Sequence, residues 1–279
     1  MSNPADPSPV WFVTGASKGM GLETVRAAIA AGARVAATSR DAVRLREAVA
    51  APDDRFLAVE MSFDSEQSIQ AAVDTAVETF GRLDVLVNNA GYALLGGVEE
   101  FSDHEVRANF DVNVFGLLAV TRAVLPVMRR QRSGTIFNMA SISANATGPA
   151  TGLYSATKAA VLMLSEALAD EVEGLGIRVT AICPGGVRTD FLDGSSARRS
   201  ARRIEEYAVV ERTMAAYARL NHNQGGNPTR VADVLVMLSQ AGNPPRRLYL
   251  GVDALRAIEA ICQETLRDAQ RHREISLSI

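Results

Sequence analysis

Seven short apolar runs constrain this chain more than any other feature of its sequence: Val10 to Thr14, Arg34 to Thr38, Arg55 to Val59, Leu83 to Val87, Thr135 to Met139, Ile177 to Cys183 and Leu248 to Leu250. A strand with one wet face alternates apolar and polar residues, whereas a strand apolar throughout is covered on both faces. Helix-like stretches separate the runs, and that alternation gives an α/β architecture, a doubly wound parallel sheet of about seven strands with helices on both faces. No long Pro/Gly/Ser linker and no internal repeat divides the 279 residues. One domain is therefore expected over 10–279, preceded by a polar, proline-rich and flexible segment 1–9.

The first run leads at once into Gly15-Ala16-Ser17-Lys18-Gly19-Met20-Gly21 and then the amphipathic stretch Leu22 to Ala31. Strand, glycine turn and helix in that order make a dinucleotide site. The glycines let the backbone turn tightly and approach a pyrophosphate, and the first amides of the helix favour its charge. Such sites place an acid on the ribose hydroxyls about 20 residues further on, or an Arg where a 2′-phosphate must fit. Here the second run ends in Ser39-Arg40. With no acid to repel a phosphate, and with Lys18 adding a second cation, the planar donors of Arg40 point to NADP(H).

Tyr154 and Lys158 stand four residues apart in Tyr154-Ser155-Ala156-Thr157-Lys158. On a helix that spacing puts a phenol and an ammonium on one face. An adjacent cation favours the phenolate and so lowers a pKa that is ordinarily about 10, which would fit Tyr154 for acid/base work. Upstream, Ser141 ends the run Gly134 to Ala140. A strand's carboxyl end is where a parallel sheet meets its ligand, so Ser141 and Tyr154 can converge on one substrate oxygen, although a turn-capping role suits Ser141 equally.

Taken together, these residues resemble the short-chain dehydrogenase/reductase family over roughly 10–252. Thr14-Gly15-x-x-x-Gly19-x-Gly21 is similar to its cofactor turn and Asn88-Asn89-Ala90-Gly91 to its second signature. Asn113, Ser141, Tyr154 and Lys158 match its catalytic tetrad, and Pro184, Gly185, Val187 and Thr189 its nicotinamide segment. The resemblance implies a Rossmann-type fold and a carbonyl/alcohol interconversion. In it, Ser141 holds the substrate oxygen, Tyr154 exchanges its proton, Lys158 assists Tyr154 and holds a ribose, and the backbone at Asn113 holds a relay water. Family members usually carry an Asp for the adenine amine where this chain has Ser62-Phe63. A looser similarity reaches the 17β-hydroxysteroid and retinol dehydrogenase-like members. Paired helices imply a homo-oligomer, dimer or tetramer.

A segment at about 190–226 corresponds to the family's substrate lid. Its apolar residues, with Leu94, Leu95, Gly185, Phe191 and Leu192 facing the substrate, suggest a small molecule with a hydrophobic body, and Gly194-Ser195-Ser196 and Gly225-Gly226 are plausible hinges. The net charge of −3 leaves no broad basic surface, which argues against nucleic acid. The cluster Arg198-Arg199-Ser200-Ala201-Arg202-Arg203 is expected to be a solvated face at a helix start. Two cysteines and three scattered histidines form no metal-ligand pattern. No apolar run approaches the ~20 residues of a membrane-spanning helix, so a soluble, cytoplasmic protein without metal or membrane partner is expected. Two other readings of the same motifs are a cofactor-binding sensor or scaffold without turnover, and an epimerase or dehydratase that retains its cofactor.

Overall fold

The computed structural model describes residues 8–194 and 196–279. Expectations about residues 1–7 and the Ser195 hinge position lie outside the described residues. Among the described residues nine strands form: β1 Val10–Val13, β2 Arg34–Ser39, β3 Phe56–Glu60, β4 Val85–Asn88, β5 Ala93–Leu95, β6 Gly134–Met139, β7 Ile177–Pro184, β8 Ala197–Arg199 and β9 Arg247–Leu250. Between them run α1 Gly19–Ala30, α2 Ala42–Val49, α3 Glu66–Phe80, α4 Asp103–Phe110, α5 Leu117–Gln131, α6 Gly152–Val172, α7 Ala208–Leu220, α8 Pro228–Ser239, α9 Val252–Arg271 and α10 Arg273–Ser276.

Seven strands make one parallel sheet in the order β3-β2-β1-β4-β6-β7-β9, and β5 pairs with β8 in a small parallel ribbon that the sequence did not signal. The apolar runs do serve two faces. Val10, Phe12, Ala36, Leu86 and Ile136 pack with α3 and α5 residues on one side, while Trp11, Val13, Val35, Ala37, Val87 and Phe137 pack with α1 and α8 on the other. Each large side chain buried this way contributes about 1.5–3 kcal/mol, so neither face tolerates polar alternation. Asp41, Ser65, Ser102 and Asn227 accept backbone N–H groups at the starts of α2, α3, α4 and α8.

One polar chain crosses this interior. Asn88 donates to Thr121 at 3.0 Å and to Asn138 at 2.9 Å, and Asn138 donates to Ser165 at 2.9 Å. It ties β4, its neighbour β6 and helices α5 and α6 just below the sheet's carboxyl edge, so Asn88 is a brace within the sheet. The order reverses direction between β1 and β4, and in such sheets that reversal opens the ligand crevice.

The helical stretch Asp103–Gln131 is by length and composition able to cross a membrane, contrary to the sequence expectation. It reaches that length because α4 and α5 join through a π turn, Asp111–Gly116. Here its apolar face, with Val120, Val124 and Met128 fully buried, packs against the sheet and α3.

Candidate active site

One cavity of about 770 Å³ occupies that crevice. Its floor at one end is the turn after β1. Gly15 has φ +64°, and a Cβ there would stand 2.7 Å from the Cα of Ala90. Gly19 has φ +58° and lies against Thr189. The positive φ at both positions and the contact with Ala90 exclude side chains from this turn, which lines the cavity directly before the first amides of α1. Gly15, Ser17, Lys18, Gly19 and Met20 line the cavity, whereas Gly21 does not. Gly21 instead permits packing, since a Cβ there would meet Asn89 Nδ2 at 2.5 Å and the Gly15 oxygen at 2.6 Å. Thr14 Oγ1 accepts the N–H groups of Asn89 and Ala90, both at 3.1 Å, and Asn89 Nδ2 donates to the Gly15 oxygen at 2.9 Å, locking the two signature loops together.

Ser39 and Arg40 line the same end. Arg40 is exposed, and among the described residues it has no ion-pair partner. A glycine cradle at a helix start beside a free guanidinium fits a phosphorylated dinucleotide. Ser62 and Phe63 are also in the wall. A carboxylate does stand next to position 62: Asp64 accepts from Ser62 Oγ at 2.8 Å and lines the cavity beside it. The serine-to-aspartate spacing carried that signal in the sequence.

At the other end lie Ser141, Tyr154, Lys158, Asn89, Ala90, Gly91, Pro184, Gly185, Val187 and Thr189. Ser141 caps a short turn, accepting from the Ser143 N–H at 3.1 Å, as one of its two sequence readings expected, and also hydrogen-bonds Tyr154. Lys158 is buried, donates to the Met139 oxygen at 2.7 Å, and approaches the Tyr154 ring centre to 5.8 Å. Burial pulls its pKa down to about 8. Burial likewise pushes Tyr154 above its ordinary value, opposed by the hydrogen bond with Ser141. The expected lowering of Tyr154 by Lys158 is therefore not what the cavity shows. The ammonium faces a backbone carbonyl and the ring, and loss of water outweighs its field.

Asn113 is not in the wall but braces it. It sits in the π turn, a widened helical turn that recurs at functional sites. Its side chain accepts the Tyr92 N–H at 3.0 Å and donates to the Tyr92 oxygen at 2.9 Å and to Thr157 at 3.0 Å. Gly91 is pressed between, with a Cβ position 3.0 Å from Asn113 Oδ1 and 3.6 Å from Lys158 Nζ.

Leu95 and Ala93 form an apolar cluster with Tyr154, against which Phe191, Met214 and Tyr217 pack, the Phe191 and Tyr154 ring centres being 5.9 Å apart. Phe191, Leu192, Tyr217 and Leu220 line the cavity. Leu94 does not: residues alternate across a strand, and Leu94 is buried on the opposite face from Leu95. The segment over the cavity is clamped by acids. Glu100 accepts the Gly97 and Ile204 N–H groups at 2.7 and 2.9 Å, Glu105 accepts the Ala201 N–H at 3.0 Å, and Tyr207 donates to Glu99 at 2.6 Å. Burial alone would raise the Glu100 carboxyl, yet the hydrogen bonds from Gly97 and Ile204 hold it below its ordinary value.

The arginine cluster is not a helix start. Arg198 and Arg199 belong to β8, and α7 begins only at Ala208, because extended pairing with β5 takes the backbone. Arg199 pairs with Glu211 and Arg202 with Glu99, whereas Arg198 lines the cavity. Asp253, also missed from sequence, reaches in from the first turn of α9 and accepts the Gly186 N–H at 2.7 Å.

Residues 9–200 match the family model described as short chain dehydrogenase. A short-chain dehydrogenase of Streptomyces avermitilis superposes with a TM-score of 0.89 at 35% identity, covering 96% of this chain and 98% of the other. Oxidoreductase BOA17 of Botryotinia fuckeliana is 32% identical over 274 residues, 96% of this chain and 98% of its own. A serine dehydrogenase solved with NADP+ is 26% identical with a TM-score of 0.74, over 86% of this chain and 94% of the other.

Proposed function

This chain belongs to the short-chain dehydrogenase family and is an oxidoreductase, and from that premise we propose that it interconverts a carbonyl and an alcohol on a largely apolar small molecule, using NADP(H). The single observation that carries the reading is the meeting of Ser141, Tyr154 and Lys158 in one cavity with the glycine turn and Arg40.

The chain's own groups divide the work. The glycine turn and α1 amides would hold the pyrophosphate, Arg40 with Lys18 the 2′-phosphate, and Asp64 the adenine amine. Support for the phosphorylated cofactor comes from the uncommitted guanidinium of Arg40, and the similar serine dehydrogenase is named as an NADP+ complex. Hydride is the one element that no side chain provides, and a bound nicotinamide supplies it. Ser141 and Tyr154 would converge on the substrate oxygen, Ser141 by hydrogen bond and Tyr154 by transferring its proton. With its pKa raised by burial, Tyr154 rests in the neutral, proton-bearing form, which suits it to protonating a carbonyl oxygen. Lys158, positively charged below pH about 8, stabilises the negative charge that gathers on Tyr154 and substrate oxygen as the proton moves. Asn113 holds the Tyr92 loop and Thr157 in register with both.

Phe191, Leu95 and Tyr217 favour an apolar body next to the reacting oxygen. Segment 190–226 acts as the lid. Loss of nicotinamide absorbance when a neutral aryl or alkyl ketone is added with NADPH tests the reading. Tight NADPH binding with no ketone, aldehyde or alcohol turned over would replace it with a sensor role, and product formed without net cofactor oxidation would replace it with an epimerase or dehydratase.

A further inference from the structure

Four basic side chains line the cavity among the lysines and arginines of the described residues: Lys18, Arg40, Lys158 and Arg198. The first three have roles at the phosphates or the reacting oxygen. Arg198 has none. Among the described residues it makes no ion pair and no hydrogen bond, while the neighbouring Arg199 and Arg202 are matched to Glu211 and Glu99. Its guanidinium instead lies 4.4 Å over the centre of the Tyr92 ring. A stacked guanidinium keeps its planar edge of donors free.

The platform beneath it is fixed. The Tyr92 oxygen accepts from Asn109 at 3.0 Å and from Asn113 at 2.9 Å, and its N–H donates to Asn113 at 3.0 Å. The same asparagine that braces the catalytic helix therefore also fixes the backbone from which the Tyr92 ring projects. Pairing of β5 with β8 aligns Arg198 with Leu94 and Ala197 with Ala93. Ala197 packs toward the Tyr154 cluster, and the Arg198 side chain reaches the cavity wall over the Tyr92 ring, which also lines it.

We propose that Arg198 is a specificity-determining residue that binds a carboxylate at the far end of the substrate. The proposal rests on the oxidoreductase reading above and narrows its substrate class to oxo- or hydroxy-acids whose carboxylate is separated from the reacting carbon by an apolar spacer. A planar fork of donors matches a carboxylate in a bidentate pair. One guanidinium balances one negative charge, and the nearby Arg199 and Arg202 are already matched to Glu211 and Glu99. The apolar cluster of Leu95, Phe191 and Tyr217 would take the spacer.

The test is a set of aryl- and alkyl-ketone acids of increasing spacer length with their methyl esters, measured with NADPH on the full chain, wild type and Arg198→Gln. For the spacer that fits, the wild type is expected to favour acid over ester in kcat/KM by at least tenfold, with the preference weakening in salt. Arg198→Gln should erase the preference and leave the esters and NADPH affinity unchanged, and Arg198→Lys should restore it in part. Calorimetric titration of the same acids and esters into the NADPH complex gives the same ratio where turnover is absent. Equal wild-type handling of acids and esters, or equal loss on both in Arg198→Gln, overturns the carboxylate site while ester turnover leaves the oxidoreductase reading standing. A fall in NADPH affinity in Arg198→Gln would instead assign Arg198 to the cofactor. Absence of turnover for acids, esters and simple ketones alike would strike the oxidoreductase reading itself.

Discussion

The Lys158 ammonium lies 5.8 Å from the centre of the Tyr154 ring, close enough to act on the phenol but bonded elsewhere, to the Met139 oxygen at 2.7 Å. Both groups are buried, and burial drives both toward neutrality, the phenol upward and the amine downward. Near neutrality the phenol therefore keeps its proton while the amine, with its pKa about 8, still carries its charge beside it.

The position of Lys158 costs stability. Its pKa is about 8 in the folded chain against 10.5 ordinarily, so between those values the unfolded chain binds more protons and stability rises with pH. Below pH about 8 the full cost of burying the charge is present; by about 10.5 it is gone. Replacing Lys158→Met should therefore stabilise the protein near neutrality by up to about 3 kcal/mol, offset in part by the lost bond to Met139, and the gain should shrink toward pH 10.5. Denaturant melts at the two pH values check this, and a pH-independent difference would contradict it. Activity should be lost.

Arg40→Asp should weaken NADPH relative to NADH. A hydrogen bond to a charged group is worth about 1.5–3 kcal/mol, so the ratio of the two dissociation constants should move about tenfold to hundredfold. Fluorescence titration of each cofactor reads it. An unchanged ratio would remove Arg40 from the phosphate.

Asn113→Ala breaks three hydrogen bonds, to both backbone groups of Tyr92 and to Thr157. Leaving buried partners unpaired costs about 1–3 kcal/mol, so the melting temperature should fall along with turnover. A variant that melts like the parent would show that the brace is not structural.

Glu100→Gln leaves one of its two accepting oxygens as a donor, so either the Gly97 or the Ile204 N–H loses its partner. The 200–207 segment should then open more readily and become a protease-sensitive site, since local opening follows lost contacts. Mapping limited-proteolysis fragments tests this; an unchanged cleavage pattern would show that the clamp is held elsewhere.

Much of this was legible in the sequence because the relevant physics is local. Seven unalternating runs announced a sheet covered on both faces, and Val10–Val13 with the glycines after it announced the cradle. Tyr154 and Lys158 share a helix face by spacing alone. What sequence could not carry was long-range. Pairing of Ala93–Leu95 with Ala197–Arg199 joins segments about a hundred residues apart, and neither that ribbon nor the placement of Arg198 over the Tyr92 ring can be read from spacing. Charge on Tyr154 was misjudged for a similar reason: adjacency to Lys158 is readable in a sequence, but the depth of burial that outweighs it is not. Asp64 enters the site through two hydrogen bonds exchanged with Ser62, and Asp253 through one from the Gly186 N–H, which lies 67 residues before it.

The central claim is that Tyr154 transfers the proton at an oxygen shared with Ser141. The most direct measurement compares wild type and Tyr154→Phe for NADPH binding by titration and for NADPH-dependent ketone reduction by absorbance. Removing one hydroxyl should leave the dissociation constant for NADPH within about twofold while turnover falls by roughly 10²–10⁴. Retention of the wild-type rate in Tyr154→Phe, with cofactor bound, would contradict the account.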